Sequence, residues 1–235
     1  MSNIVTLNSV HHRDLRVDSN PSARYGDNQR FVPVIVNEFP FLIAHYPVFF
    51  SKDANTGAFY CGAMLGFDEG ENLFLADGRD VYRPLNLQRG PFFTAGSDLA
   101  IDLDNPRVGT DQGQVLFTET GEPSAYLQTI MTLFRDLVPG LERTKIFIDT
   151  LLKLKLIEPV EIDVGFDDGS KRNVEGLYTV SQDSLRDLPD AEVVNLFRRG
   201  YLHLIYLMIG SLKQVSVLAR KKNRGLLGGT PGIHG

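Results

Sequence analysis

Residues 31–93 read FVPVIVNEFPFLIAHYPVFFSKDANTGAFYCGAMLGFDEGENLFLADGRDVYRPLNLQRGPFF, and this stretch decides the fold. Residues 31–36 are short, apolar and β-branched, and Pro33 suits the start or edge of a strand. Asn37 can cap a short helix, with Glu38 in its first turn, Pro40 tolerated near its start and Pro47 ending it near Tyr46. Residues 48–51 and 58–67 follow as strand-like runs. The polar link between them, 52–57, ends in Gly57 as a hairpin loop should. A turn at Asp68-Glu69-Gly70 then leads to a third strand over 72–76. The pattern predicts a small antiparallel meander with one helix against it.

Outward from this stretch, residues 1–30 are polar and weakly patterned, which suggests an arm ordered by what it packs on. Residues 98–104 alternate as a strand, with Asp102 and Asp104 on one face before Asn105-Pro106 turns the chain, and 114–118 form another short strand. From Glu122 the period becomes helical. Pro123 fits a first helical position, and Leu127, Ile130, Met131, Phe134 and Leu137 make an apolar stripe. Pro139-Gly140 is expected to interrupt that helix before it resumes to about residue 157. Residues 160–164 and 171–180 form a second hairpin around Asp167-Asp168-Gly169. Ser181 and Asp183 can cap a short helix, Pro189 starts another, and Gly200 marks a break. The longest helix is expected over 201–222, followed by a flexible Gly-rich tail at 225–235. The fold class is therefore α+β, an antiparallel β-rich N-terminal half packed against C-terminal helices, in a single domain 1–224.

Composition narrows the function. The 235 residues include 43% hydrophobic and 23% charged side chains, ordinary for a globular chain. A net charge of -5 argues against a nucleic-acid partner. The single cysteine, Cys61, excludes an internal disulfide framework and reads as a buried apolar residue. Residues 1–10 lack the pattern of a signal peptide, so a cytoplasmic location is expected, with surface association only by an unconventional export route. The apolar run 201–212 is about half the ~20 residues of a spanning helix and reads as a core helix.

Few constellations carry chemistry. His12-Arg13-Asp14 has a His-x-Asp spacing, and with His45 or His203 it could form the two-His, one-carboxylate face of a non-haem iron oxygenase of the 2-oxoglutarate type. A polar arm with locally bonded histidines is the simpler reading. Arg83 and Arg89 lie among aromatics in YRPLNLQRGPFF and could hold a carboxylate or phosphate, with Glu38, Tyr46 and Tyr82 as neighbours of that ligand site. The preferred alternative is that an arginine pairs with Glu38 or another acid inside the fold. Asp102 and Asp104 read as a solvated turn that Arg107 could neutralise. The basic run 220–224 reads as a solvated helix end. No spacing supports a catalytic triad around Ser211 or Ser216.

The chain resembles the bacterial SapC family over nearly its full length. The resemblance rests on VHHRDLRV (10–17), VPVIVNEFPFLIAHYPVFF (32–50), MLGFDEGENLFL (64–75), VYRPLNLQRGPFF (81–93), AIDLD (100–104) and the long block from GLYTVSQDSLRDLPDAEVVNLFRRG into the helix after it. Gly90 departs from the bulkier residue expected there. The resemblance implies a link to bacterial surface layers, and an accessory or binding role beside halogenase-like and cupin-like modification systems or outer-membrane receptors. It implies no defined activity and no cofactor; iron belongs only to the oxygenase alternative. The implied partner is a peptide or protein of such a system.

Overall fold

The computed structural model describes residues 3–77, 80–96, 98–109 and 111–228. The fold is α+β with antiparallel sheets. It comprises two compact units, one of residues 1–28 and 83–139, the other of residues 29–82 and 140–235.

The first unit holds two three-stranded sheets. In one, Asp98–Asp102 lies between Ile4–Thr6 and Phe92–Ala95, with Val5 opposite Ile101 and Phe93 opposite Ala100. In the other, Arg16–Val17 lies between Val108–Gly109 and Gln114–Val115. The polar arm thus supplies a strand to each sheet, so its order comes from pairing with residues far along the chain. Gly113 makes the close approach possible: at φ +107, a Cβ would sit 2.6 Å from the Val17 carbonyl. The apolar stripe of the helix Ala125–Lys153 buries Leu127, Ile130, Leu133, Phe134 and Leu137 in this region, while Met131 is left exposed. The cap is Ser124, whose Oγ accepts from the Leu127 N–H at 3.2 Å, so the helix begins two residues after Pro123.

The second unit is built on a five-stranded antiparallel sheet in the order Ile157–Gly165, Lys171–Val180, Val48–Lys52, Phe59–Met64, Phe31–Pro33. The two predicted hairpins form, and they join into one sheet: Phe50 pairs with Tyr178 and Ser51 with Leu177. Pro33 ends the edge strand, where a missing N–H costs nothing. Phe147 on the helix Ala125–Lys153 gathers Phe39, Phe50 and Tyr201 around its ring at 5.2–6.4 Å.

Several expectations need correction. Residues 72–76 form turns, not a third strand, because Asn72 spends its side chain on the Phe74 N–H. The helix after Asn37 is short: a 3-10 turn Val36–Glu38 leads into Phe39–Leu42. Pro139 does not break its helix, which runs unbroken for 29 residues and is the longest among the described residues. Pro139 is exposed, so water can reach the carbonyl its ring leaves without a donor, and Gly140 serves close packing rather than a break. The expected helix 201–222 is two, Tyr201–Ser211 and Gln214–Gly228. Their junction follows Ser211, whose hydroxyl donates to the Met208 carbonyl and accepts from the Val48 N–H. Of the predicted tail, residues 225–228 close the last helix and 229–235 lie outside the described residues. The most apolar 18 residues within Tyr201–Leu226 have a mean hydropathy of 1.5, enough by length and composition alone to cross a membrane, and 22% of that window is buried in the protein.

Candidate functional site

The residues singled out in the sequence fall into separate clusters. In the second unit, Glu38 is 1% exposed. Its carboxylate accepts from the Ile35 N–H at 3.0 Å and from the Tyr82 hydroxyl at 3.2 Å. It therefore caps the turn it opens from inside the core. Tyr46 donates to the Tyr82 carbonyl at 2.7 Å, and the Tyr82 ring stacks on Phe41. Glu38, Tyr46 and Tyr82 are thus one hydrogen-bonded set.

Arg83 pairs with Asp27 at 2.8 Å within the first unit. The acid partner expected inside the fold is Asp27, which no local sequence pattern marks. Arg107 joins the same carboxylate, and its other nitrogen donates to the carbonyls of Asp18 and Asn20, both at 2.9 Å. Its guanidinium lies 4.4 Å over the Tyr25 ring. Arg107 therefore does not neutralise Asp102, whose carboxylate instead accepts from the N–H groups of Asn3 and Asp104. Burial lowers the pKa of Arg83 and the charge of Asp27 opposes that. Burial also pushes the nearby Tyr126 phenol up to about 12. Two guanidiniums around one buried carboxylate fix geometry strongly, because removing any member leaves a charge without its partner.

Arg89 stands apart from that cluster. It donates to the Phe92 carbonyl at 2.8 Å and to Asn86 Oδ1 at 3.3 Å, and it lies 4.4 Å over the Phe93 ring. Its bonds hold the turn into the strand Phe92–Ala95.

The histidines do not converge. His12 is 8% exposed, and its Nδ1 accepts from the Asn8 N–H at 3.0 Å. Asp14 is exposed, and the His45 ring makes an edge contact with Tyr46. Among the described residues no three His, Cys, Asp or Glu side chains gather as a metal site, the set His12, Asp14 and His45 included. Cys61 is fully buried, and burial pushes its thiol far up. The basic end of the last helix is not simply solvated. Lys222 is buried and bonds Asp68 and Glu71, while Lys221 pairs with Asp77 at 2.7 Å.

A different place in the second unit is open. A cavity of about 430 Å³ is lined by two guanidiniums, Arg143 and Arg199, with Asn37 and Tyr201 and an apolar floor that includes Val36 and Leu204. No earlier pattern pointed to it, since its lining comes from three segments far apart in sequence. In the same unit, large apolar side chains are left to solvent. Phe41 is 59% exposed, Phe197 72% and Tyr206 61%. Their helices, Phe39–Leu42 and Asp190–Arg198, both pack on Tyr201–Ser211.

A family model described as SapC matches residues 7–218. No curated protein and no solved structure matches the chain.

Proposed function

Because the chain belongs to the SapC family, we propose that it is an accessory binding protein of a bacterial surface-layer or envelope system. It works from the cytoplasmic side or after unconventional export, and performs no chemistry of its own. The observation that carries this reading is the exposure of three aromatic side chains, Phe41, Phe197 and Tyr206, on helices of the second unit. Aromatics at 59–72% exposure gain free energy when a partner buries them. The partner this surface suits is a protein or peptide of that system, since Phe and Tyr are the residue types that anchor protein contacts.

The polar groups support the same reading from the other side. Ser211, Glu38, Asp27 and Arg107 are committed to backbone and to one another. Such groups hold a shape; they do not present an activated nucleophile or base.

Co-sedimentation tests the reading. Purified protein is mixed with isolated envelope and surface-layer material of a bacterium that encodes it, and pelleted. The protein is expected in the pellet, and Phe197→Glu with Tyr206→Glu should weaken that binding about tenfold or more, the scale of losing an aromatic anchor. Wild-type protein that stays wholly in the supernatant overturns the proposal.

A further inference from the structure

We infer that the cavity between residues 36–40, Arg143 and residues 199–204 is a binding site for a small ligand that joins one carboxylate or phosphate group to an apolar body. The argument starts from charge. Two guanidiniums line one cavity of about 430 Å³, and no carboxylate lines it with them. Two arginines with no acid beside them in the lining leave the cavity electropositive, which suits an anion. Arg143 makes no ion pair or hydrogen bond among the described residues, so its five donors face solvent and the cavity.

Arg199 is held differently. It donates to the Tyr201 hydroxyl at 3.0 Å, and its guanidinium lies 4.4 Å over the Tyr201 ring. Stacking fixes the plane of the fork while leaving other N–H groups unspent, which is the arrangement that grips a carboxylate or phosphate with two bonds. Tyr201 is in turn steadied by the Phe147 ring, 5.2 Å away and edge-on. Val36 is steadied too, since its N–H donates to Thr144 Oγ1 at 3.0 Å. Arg199, Tyr201 and Val36 are therefore preorganised, and the ordering cost of binding falls mainly on Arg143.

The floor sets the rest of the ligand. Val36 and Leu204 are apolar and offer no partner to a sugar or a polyanion. The volume lies in the lower part of the ~300–1,000 Å³ range of small-molecule sites. A large lipid body would overfill it; an aryl or short alkyl acid would not. The anionic group could belong to a free small molecule or to a lipid headgroup, since both present the same oxygens.

Calorimetric titration of the full chain separates the outcomes, using 4-phenylbutyrate, its amide, hexyl phosphate, and vesicles of phosphatidylglycerol or phosphatidylcholine. The acid or the alkyl phosphate should bind, and the amide should bind about tenfold more weakly or worse, because it cannot form charged bonds to arginine. Arg143→Gln and Arg199→Gln should each lose about tenfold, while Arg220→Gln, outside the cavity, leaves binding unchanged. Both cavity arginines are exposed, so unchanged melting of the variants shows that the fold is intact. Binding only to phosphatidylglycerol vesicles, lost in the two cavity variants, assigns the anion to a lipid headgroup. The inference is overturned if no anionic probe binds, if the amide binds as well as the acid, or if both cavity variants bind like wild type. It stands independently of the envelope reading, whose own test is co-sedimentation with the exposed aromatics altered.

Discussion

A β-carbon built on Gly140 would meet Ile35 Cδ1 at 2.3 Å, with Ile35 Cβ at 3.3 Å. The helix Ala125–Lys153 therefore presses on the turn that precedes Glu38 at a distance only glycine permits. Ile35 is itself wholly buried. Gly140→Ala gains about 1 kcal/mol of intrinsic helix preference. Overpacking costs about 1–3 kcal/mol. Net destabilisation of up to about 2 kcal/mol is expected, read as a lower urea midpoint by circular dichroism. A variant as stable as wild type would show that the helix can shift away without loss.

Asp27 pairs with both Arg83 and Arg107. Asp27→Asn keeps the shape and removes the charge, leaving both guanidiniums buried without their counter-ion. A loss of about 3 kcal/mol is expected, near the lower end for breaking a buried pair because Arg83 is partly solvated. Asp104→Asn, at an exposed turn, should change stability by less than about 0.5 kcal/mol. Thermal melts of the two variants side by side decide whether Asp27 organises its unit.

His12 gives a dependence on pH. Burial, and then the nearby His11, hold its imidazole below the ordinary 6.5. The unfolded chain therefore takes up the proton first. The stability contributed by neutral His12 is present above pH 6.5 and is lost as pH falls below it toward the folded value. Its Nδ1 accepts a hydrogen bond from the Asn8 N–H, which a protonated ring cannot do. The urea midpoint should fall between pH 7.5 and 5.5, and His12→Gln should flatten that slope by no more than about 1.4 kcal/mol per pH unit. An equal slope in both proteins would show that His12 does not titrate with folding.

The two hairpins and the α+β class were legible because alternation and turn residues are local signals: 48–51 with 58–67, and 160–164 with 171–180. The stripe from Leu127 to Leu137 was legible for the same reason, through a period of 3.6. Pro139 misled because a proline's cost depends on whether water can reach the abandoned carbonyl, which sequence does not record. Residues 72–76 misled because β-like apolar residues can equally line turns. The candidate sites were harder. Glu38, Tyr46 and Tyr82 share an apolar stretch, so their grouping could be anticipated. The Asp27 to Arg107 pair spans 80 positions and the cavity arginines 143 and 199 lie 56 apart, and neither leaves a spacing that a single chain reveals.

The order of strands in the five-stranded sheet has a consequence for how the chain is made. The hairpin Val48–Lys52 with Phe59–Met64 emerges from the ribosome early, but the neighbour that seals its outer edge, Lys171–Val180, is synthesised only after the whole helix Ala125–Lys153 has followed. For that interval an aromatic, hydrogen-bond-hungry rim stands open in a nascent polypeptide. A message truncated before codon 171 would yield a product prone to stick to its own copies and to be captured by chaperones.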